Sequence, residues 1–376
     1  MQIAVDIQSL CDPHPSGVGH VVLETLRAWP VDPDVEIILF SIGRRPASLP
    51  TDITSRPDVR HVHRRVPSKL INPLRAQGIV SLERLIGCSV DAVWFPNTGY
   101  LPRTRAKTFL TVHDLAWALM PETYTWVHHL RYRITRARWW IRRADVIITP
   151  SKATRQDVID LFGREKNDVH VIAHGIDPVS FHHRPLPNDA TVRQRLGVRS
   201  PYIVSIATQE PRKNLVSLVE AFNELRRRGH HFSLVLAGGR GWKRRALHRA
   251  IDQSPYRANI TLLDFVDDTH RPALLRGALC LCLPSRYEGF GMQVAEAMAC
   301  GTPVVTARNS SLLEVGQDAV LFVRSMNVRE LTDVLEQVIT DPNLRSTLRA
   351  RGLARAADFS WAATAQSIHT LLTRAA

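Results

Sequence analysis

Residues 279–305, LCLCLPSRYEGFGMQVAEAMACGTPVV, contain the pattern that decides the fold of this chain. The apolar run LCLCLP predicts a buried strand, and the glycine-containing segment after it predicts a loop. A helix is predicted over about 291–300, and TPVVTA then predicts a second strand. This strand–helix–strand order is typical of a parallel sheet that is covered by helices on both faces.

The same alternation extends along the rest of the 376-residue chain. Helices are predicted at 125–143 and 152–162, between strands such as VEIILF, DAVWF, KTFLTVHD, DVIITP and DVHVIAHG. A second series of strands and helices begins at PYIVSIAT, after a Pro- and His-containing stretch that is typical of a linker. Single cores usually stop growing at roughly 250–300 residues. We therefore expect α/β domains at 1–190 and 191–358, followed by a C-terminal helix at 359–376.

Composition restricts the partners of the chain. A hydrophobic fraction of 44% and a charged fraction of 22% describe a globular protein and disfavour disordered or fibrous classes. The net charge of +14 indicates an anionic partner, which leaves nucleic acid, a phosphorylated small molecule and an anionic membrane surface open. Five cysteines without metal-ligand spacing favour a reducing compartment, and we expect no export signal or membrane span.

The loop after LCLCLP has the strongest functional pattern. Ligands of open α/β sheets bind beyond the carboxyl ends of strands, where Glu288 lies between this strand and the next helix. Gly289 and Gly291 allow a ligand to approach the backbone, and the N-terminus of a helix binds phosphate or sugar oxygens. Glu296 lies inside the helix among small apolar residues, which disfavours the alternative that both acids are solvated surface charges.

The form E-GFGMQVA-E, followed by AMACGTPVV, resembles the E-x7-E motif of the GT4 family. Members of this family are retaining nucleotide-sugar glycosyltransferases with the GT-B fold. The resemblance implies an α/β protein with two Rossmann-like domains facing across a cleft. It also implies that Glu296 binds the nucleotide ribose and that Glu288 lies beside the transferred sugar. The implied donor-binding set is Gly17, Gly19, Val266, Gly289, Phe290, Gly291, Met292, Gln293, Val294 and Glu296.

The loop ATQEPRKNL follows the strand PYIVSIA and contains Arg212 and Lys213. Two cations at the end of a strand can neutralise a leaving diphosphate. EPRKN resembles the donor-phosphate motif of the GT4 family. Many members also have an Arg five or six residues before the Lys, where this chain has Ala207 and Thr208. Lys213 is therefore the primary phosphate ligand, and Arg212 has a structural alternative as an ion-pair former.

Two further loops belong to the N-terminal half. Gly17 and Gly19 follow the first strand, but Val22 occupies the place of the third glycine in a dinucleotide fingerprint, which disfavours an NAD enzyme. The resemblance places this loop toward the diphosphate and the acceptor. His113 follows the strand KTFLTV, where packing or capping is the ordinary role of a His. In the GT4 family a His at this position approaches the donor sugar.

The resemblance thus implies a retaining hexosyltransferase whose catalytic set is Glu288, Lys213, Arg212 and His113. The donor is GDP- or UDP-linked, with mannose as the first expectation because the EPRKN form is often met in mannosyl members. The acceptor is a glycan or a lipid-linked saccharide. We expect no cofactor and no metal, since the DxD at 32–34 is typical of a turn and the paired histidines lack ligand partners.

Basic and aromatic residues alternate along 125–143, which suits a membrane surface or a nucleic acid. A helix with an aromatic core face and solvated arginines is the alternative, and the lipid-linked acceptors of the family favour the membrane. We therefore expect a cytoplasmic protein, peripheral on the membrane. Other hypotheses are a non-catalytic sugar-binding subunit, a phosphorylase, or a nucleic-acid-binding protein, but no helix-turn-helix, RRM or zinc pattern occurs.

Overall fold

The computed structural model describes residues 1–12 and 16–375. Its contacts divide the chain into two compact units. The first consists of Met1–Leu115, Trp126–Gly175 and Ser360–Ala376, and the second of Ala116–Thr125 and Ile176–Phe359. The expected domain boundary after residue 190 falls inside the second unit, and the expected C-terminal helix groups with the first.

Each unit has a sheet in which the paired strands are parallel, as the alternation of strands and helices predicts. In the first unit the strands are β1 Gln2–Asp6, β2 Glu36–Ile42, β3 Val59–Arg64, β4 Ala92–Phe95, β5 Lys107–Thr111, β6 Val146–Thr149 and β7 Val169–Val171. In the second they are β8 Tyr202–Ile206, β9 Ser233–Ala237, β10 Ile260–Leu263, β11 Cys280–Leu283, β12 Val304–Ala307 and β13 Leu321–Val323. The strands β3 and β13 were not predicted from the sequence.

The strand orders are β3-β2-β1-β4-β5-β6-β7 and β10-β9-β8-β11-β12-β13. In both sheets the order reverses next to the first strand, between β1 and β4 and between β8 and β11. Loops on the two sides of such a reversal leave the sheet in opposite directions, which opens a crevice at the carboxyl ends of the strands. These two points are therefore where each unit is expected to bind ligand.

Helices connect the strands. In chain order they are α1 Gly17–Arg27, α2 Thr51–Thr54, α3 Ser68–Ala76, α4 Leu82–Ile86, α5 Ala116–Leu119, α6 Trp126–Ile134, α7 Ala137–Arg143, α8 Lys152–Phe162, α9 Asp189–Arg195, α10 Leu215–Arg227, α11 Arg245–Asp252, α12 Arg271–Arg276, α13 Met292–Ala299, α14 Ser310–Gly316, α15 Val328–Thr340, α16 Pro342–Ala356 and α17 Trp361–Ala375.

Three of these helices correct the sequence analysis. Gly17 and Gly19 lie in the first turns of α1, not in a loop before it. The stretch 125–143 forms two helices, because Arg136 adopts a left-handed backbone with φ of 56° that ends α6 and begins α7. The expected linker contains α9, which is fixed to the second unit by ion pairs of 2.6 and 2.7 Å between Asp189 and Arg276.

The central strands are buried on both faces, which explains their nearly continuous apolar sequences. All four residues of β11 are buried, so Cys280 and Cys282 are core residues, as predicted. In the first unit, Trp29 stacks on Trp94 at 5.9 Å and meets the edge of His369 from α17. In residues 1–12 and 16–375, no helix is both long and apolar enough to span a membrane.

Candidate active site

The turn after β8 and the loop after β11 lie side by side, because these strands are neighbours in the sheet. Pro211 begins a short 3₁₀ turn, and Asn214 ends it in a left-handed conformation with φ of 54°. The amide of Arg286 donates to the carbonyl oxygen of Arg212 at 2.8 Å, which joins the two segments. The backbone thus brings the EPRKN residues next to Glu288.

Four buried charged side chains form an alternating network here, which we call the ion network: Glu210, Arg212, Glu288 and Lys213. Arg212 donates from Nη2 to Glu210 Oε1 at 2.6 Å and from Nη1 to Glu288 Oε2 at 3.0 Å. Lys213 Nζ donates to Glu288 Oε1 at 2.6 Å. Arg212 Nη1 also donates to the carbonyl of Tyr287 at 2.7 Å, which fixes the plane of its guanidinium.

The two carboxylates of the ion network differ in their electrostatics. Burial alone would raise the pKa of Glu288, but Lys213 and Arg212 outweigh it and lower this pKa to about 2. Burial, together with the negative charge of Glu288, raises the pKa of Glu210 even though Arg212 and Lys213 lower it. Glu288 is therefore an ionised, doubly bonded acid at neutral pH, whereas Glu210 ionises less readily.

The segment from Glu288 to α13 presents backbone to a ligand. Gly291 has a φ of 96°, and a side chain there would meet Leu312 at 2.7 Å, so the position requires glycine. The ring of Phe290 packs edge-on against Phe359 at 5.6 Å, which turns this side chain into the core. Val294 is also a core residue. The first turn of α13 contains Met292 and Gln293, and its amide groups can bind an anion.

Glu296 lies in α13 and is almost completely buried. Its Oε2 accepts from the guanidinium of Arg271, which also pairs with Asp268 at 2.6 Å and lies 5.3 Å over the ring of Phe181. An acid in this environment is not a solvated surface charge. Arg271 holds one oxygen of the carboxylate that the resemblance assigns to the ribose.

The loop after β9 approaches the turn after β8 very closely. A methyl group on Gly238 would lie 2.0 Å from the carbonyl oxygen of Ala207, and one on Gly241 would lie 2.5 Å from that of Gln209. Trp242 donates from Nε1 to the carbonyl of Thr123 at 2.7 Å. Glycine is therefore required in this loop by close backbone packing. Val266 follows β10 and is buried in the same unit.

In the first unit, the two ring nitrogens of His113 have protein partners. Nε2 lies 2.8 Å from the carbonyl oxygen of Pro96, so this nitrogen carries the proton and donates. Nδ1 lies 3.4 Å from Nε2 of His174, whose ring stacks on Trp361. Burial lowers the pKa of both histidines. His113 is therefore held as a neutral ring, and His174 is a partner that the sequence did not indicate.

A polar cavity of about 250 Å³ lies at the carboxyl ends of β1 and β4 in the first unit. Its lining includes Asp6, Asn72, Arg75, Asn97, Tyr100 and Arg131. Arg75 is only 2% exposed and donates at 3.3 Å to Asn72 and at 3.4 Å to Asp6. Among the described residues, Nε of Arg75 has no hydrogen-bond partner. The cavity is thus lined by a buried guanidinium whose contacts to Asn72 and Asp6 are long.

The structure brings Glu288, Lys213 and Arg212 into one network, because the strands that precede them, β11 and β8, are neighbours in the sheet. His113, Gly17 and Gly19 belong to the first unit, and the structure does not test their predicted roles. Sequence reasoning missed two charged partners, Glu210 and Arg271. Glu210 lies within the EPRKN motif itself and could have been found there, whereas no motif marks Arg271.

Among residues 1–12 and 16–375, no group of three or more His, Cys, Asp or Glu side chains is arranged to hold a metal ion. Asp32 and Asp34 form a turn, in which the amide of Asp34 donates to Asp32 Oδ1 at 3.0 Å. His61 and His63 both face the hydroxyl of Ser41 at 3.4 and 3.0 Å.

Both halves of the chain match glycosyltransferase families. Residues 15–180 match Glycosyltransferase Family 4, and residues 189–355 match Glycosyl transferases group 1. The O-antigen chain mannosyltransferase B of Escherichia coli is 30% identical over 275 residues, which cover 72% of this chain and 71% of that protein. A D-inositol 3-phosphate glycosyltransferase of Xylanimonas cellulosilytica is 30% identical over 59% of this chain and 55% of its own length.

An MMP alpha-(1->4)-mannosyltransferase of Mycolicibacterium hassiacum is 30% identical over 64% of this chain and 62% of its own length. Two solved structures have the same fold over nearly all of the chain. Sucrose-phosphate synthase from Thermosynechococcus elongatus has a TM-score of 0.77 at 18% identity, covering 99% of this chain and 98% of that one. Anabaena HepE, in complex with UDP and glucose, has a TM-score of 0.73 at 19% identity and covers 99% of both chains.

The fold and the comparisons indicate the same family. The findings that agree are two Rossmann-like units, a family match in each half of the chain, and a relative that aligns over most of both proteins. The chain belongs to glycosyltransferase family 4 and is a glycosyltransferase of the GT-B fold.

Proposed function

We propose that this glycosyltransferase is a retaining enzyme that transfers a hexose, with mannose as the first candidate, from a nucleotide diphosphate sugar to a saccharide acceptor. The observation that carries the proposal is the ion network beside the N-terminus of α13. Arg212 and Lys213 place fixed positive charge at the carboxyl ends of β8 and β11, where a diphosphate binds in folds of this kind.

The reaction begins with cleavage of the bond between the sugar C1 and the diphosphate oxygen. Negative charge develops on that oxygen, and Lys213 and Arg212 stabilise it together with the amides of α13. The acceptor hydroxyl then bonds to C1 from the face that the diphosphate leaves, so the anomeric configuration is retained. Its proton passes to the departing phosphate oxygen, which makes a separate protein base unnecessary.

Glu288 supports this route over a covalent intermediate on a carboxylate. Both of its oxygens accept strong hydrogen bonds, from Lys213 and from Arg212. A carboxylate with a pKa of about 2 and two charged donors is a weak nucleophile. We assign Glu288 to hold Lys213 and Arg212 in place and to contact hydroxyls of the transferred sugar.

The donor is held by the second unit. We propose that Glu296 accepts from the ribose hydroxyls, and that the backbone of Gly289, Phe290, Gly291, Met292, Gln293 and Val294 binds the sugar and the diphosphate. Val266 would border the nucleotide. GDP-mannose is supported by the relatives named as mannosyltransferases, whereas HepE was solved with UDP, so a UDP-sugar is the alternative.

The acceptor is proposed to bind in the first unit, with its sugar ring in the cavity near Arg75. The carboxylate, amide, hydroxyl and guanidinium groups of that lining are the donors and acceptors that sugar hydroxyls require. Gly17 and Gly19, at the start of α1, and His113 are assigned to the reacting end of the acceptor and donor sugars. The relative named O-antigen chain mannosyltransferase B favours a glycan or a lipid-linked saccharide.

A donor panel tests the activity. GDP-mannose, UDP-glucose and ADP-glucose are each supplied with a membrane extract as acceptor, and labelled product is counted. We expect one donor to be used and the product to keep the anomeric configuration of that donor, as read by carbon–proton coupling in NMR. Nucleotide-sugar binding without turnover would instead identify a non-catalytic sugar-binding subunit, and no binding of any donor would refute the proposal.

We also propose that α6 contacts an anionic membrane surface. Four apolar side chains of α6 are exposed: Trp126 to 74%, Val127 to 54%, Leu130 to 45% and Ile134 to 40%. Within the described part of the chain, α6 contains no buried residue. Positions 126, 130 and 134 follow one another at helical spacing on one face. Arg131 and Arg133 stand on the same helix, so an apolar face is combined with positive charge.

Vesicle sedimentation tests this surface. Wild type should sediment with phosphatidylglycerol vesicles and much less with phosphatidylcholine vesicles. The double variant Trp126→Ser and Leu130→Ser should lose most of this binding, whereas Val179→Ser, a change at an exposed apolar residue of the second unit, should retain it. Equal sedimentation of the double variant and wild type would contradict the proposal.

We propose that catalysis needs no divalent metal, because Arg212 and Lys213 supply the charge that a metal otherwise provides at a diphosphate. EDTA should therefore leave the rate unchanged. We place the enzyme in the cytoplasm, which the free thiols of its cysteines support.

A further inference from the structure

Glu210 begins the turn after β8, and the reaction described above does not use it. It is buried, and its Oε1 accepts from Arg212 Nη2 at 2.6 Å. Its other oxygen, Oε2, is also buried and has no hydrogen-bond partner among the described residues. Glu288, by contrast, has a charged donor on each oxygen. Glu210 is therefore the acid of the ion network whose negative charge is less well compensated.

The guanidinium of Arg212 is oriented from two sides. Glu210 binds its Nη2, while Glu288 and the carbonyl of Tyr287 bind its Nη1. Removing Glu210 would leave the loop after β11 as the remaining support among these contacts. The position of the Arg212 charge at the phosphate site thus depends on a residue that itself need not touch the substrate.

When both acids of the ion network are ionised, the charge balance does not favour binding of an anion. With both acids ionised, Arg212 and Lys213 are balanced by Glu210 and Glu288. The network then has no net charge, and a diphosphate gains little from entering it. If Glu210 is neutral, one positive charge remains in a buried site where it acts strongly on the ligand.

We propose that Glu210 is the positioning residue of Arg212 and that it takes up a proton from solvent when the diphosphate of a nucleotide sugar binds. This inference rests on the proposed function. The charged groups that act on Glu210 are Arg212 and Lys213 from its own turn and Glu288 from the loop after β11. A bound diphosphate adds negative charge beside this set, which favours the neutral acid further.

The coupling between donor binding and protonation of Glu210 has a definite sign. Burial raises the pKa of Glu210 in the free protein, and the anionic ligand raises it again, so binding is coupled to proton uptake. Between these two pKa values, donor affinity falls as the pH rises, by up to about tenfold per pH unit. Glu288, with its pKa of about 2, stays ionised in both states and takes no part.

Calorimetry tests the proposal. Binding of GDP-mannose, or of UDP-glucose if that is the donor bound, is measured from pH 5.5 to 8, at each pH in two phosphate-free buffers whose ionisation enthalpies differ. The diphosphate of a nucleotide sugar does not titrate in this range, so proton uptake reports the protein. Wild type should take up about 0.5–1 proton near its affinity midpoint. Glu210→Gln should take up none and bind with an affinity that does not change with pH.

A matched control is Glu220→Gln on the exposed face of α10, which should behave as wild type. For the positioning role, Glu210→Ala, which removes the acceptor of Arg212 Nη2, should lower kcat more than it raises the donor KM, because Arg212 acts mainly on the departing phosphate, whereas Glu210→Gln keeps an acceptor and should lower kcat less. Should Glu210→Gln fail to fold, Glu210→Asp replaces it and should move the pH midpoint of proton uptake.

Three results would overturn the inference. These are donor binding by wild type without proton uptake, undiminished uptake in Glu210→Gln, and an unchanged midpoint in Glu210→Asp. Absence of any nucleotide-sugar binding by wild type is a different outcome, since it would refute the proposed function itself.

Discussion

The two Rossmann-like units have the same strand order at their centres but differ in how they use charge at the carboxyl ends of the strands. In the second unit, Arg212 and Lys213 are fixed by ion pairs of 2.6 to 3.0 Å with buried acids. In the first unit, His113 is held by a carbonyl and a second histidine, and Arg75 makes contacts of 3.3 and 3.4 Å around an open cavity.

This difference is consistent with the different ligands that we propose for the two units. Charges that are fixed before the ligand arrives stabilise developing negative charge without reorganisation, which suits a diphosphate. Neutral or loosely bonded groups around a cavity can exchange partners with hydroxyls at little cost, which suits a sugar. The same strand order therefore supports two kinds of polar site. The side chains in the loops after the strands determine which kind of site each unit has.

The largest effect should come from the fixed charge of the second unit. Lys213→Ala removes a cation that we propose stabilises the leaving diphosphate, and it leaves Glu288 with Arg212 as its charged partner in the ion network. We expect turnover to fall by about 100–1,000-fold, measured as release of nucleoside diphosphate. Lys166→Ala, which removes an exposed lysine of the first unit, is the control and should retain full activity. A loss below tenfold for Lys213→Ala would remove this residue from the catalytic set.

Glycine-to-alanine variants compare how closely the backbone is packed in the two units. In Gly238→Ala the new methyl group would lie 2.0 Å from a carbonyl oxygen, and the φ of 149° is strained for alanine, so we expect a loss of about 2 kcal/mol in unfolding free energy. Gly239→Ala has open space and should be neutral.

Gly99→Ala, at the cavity of the first unit, should also be mild, because the nearest atom is the movable side-chain oxygen of Asn97 at 2.8 Å. Scanning calorimetry of the three variants checks this order. Similar melting temperatures for Gly238→Ala and Gly239→Ala would show that the loop after β9 is not closely packed.

The histidine of the first unit should matter less than Lys213 because it supplies no charge. If His113 has the role proposed for it beside the reacting sugars, His113→Ala should lower turnover by roughly tenfold, because its hydrogen bonds to Pro96 and His174 are lost. His231→Ala, an exposed histidine of the second unit, serves as the control. A loss as large as that of Lys213→Ala would mean that His113 takes part in charge stabilisation, which would weaken the contrast between the units.

The smallest expected effect is the pH dependence of the free energy of unfolding. Burial lowers the pKa of His113 and His174, so the folded state binds fewer protons than the unfolded state once the pH falls below about 6.5. Stability contributed by the neutral rings is present above that pH and is lost as the pH falls. We expect a loss of about 1 kcal/mol between pH 6.5 and 5.5.

Urea titrations at several pH values measure this slope. The variant His174→Phe should have a shallower slope than wild type over the same interval, whatever its stability at pH 7. An identical slope would indicate that the pKa of His174 is the same in the folded and unfolded states.

Much of the fold and part of the site could be predicted from local sequence. Alternating apolar strands and helices predicted both sheets, and the loops after PYIVSIA and LCLCLP were predicted as functional loops that contain Lys213 and Glu288, although their direct contact was not predicted. The edge strand β3 was missed because its sequence VRHVHR is largely polar and several of its residues are exposed, and β13 was missed because it is only three residues long. The helical start of Gly17 and Gly19 was missed because glycine normally disfavours helix.

The sequence alone determined the βαβ alternation, the glycine that α13 requires and the acids and bases of the motifs, because these depend on short-range spacing. Only the tertiary structure decided which charges pair. Arg271 reaches Glu296 and His174 reaches His113 across 25 and 61 residues of chain, which no local pattern records. It also decided that Glu210 is buried with one oxygen unbonded, because burial and hydrogen bonding depend on the strands that the fold places side by side.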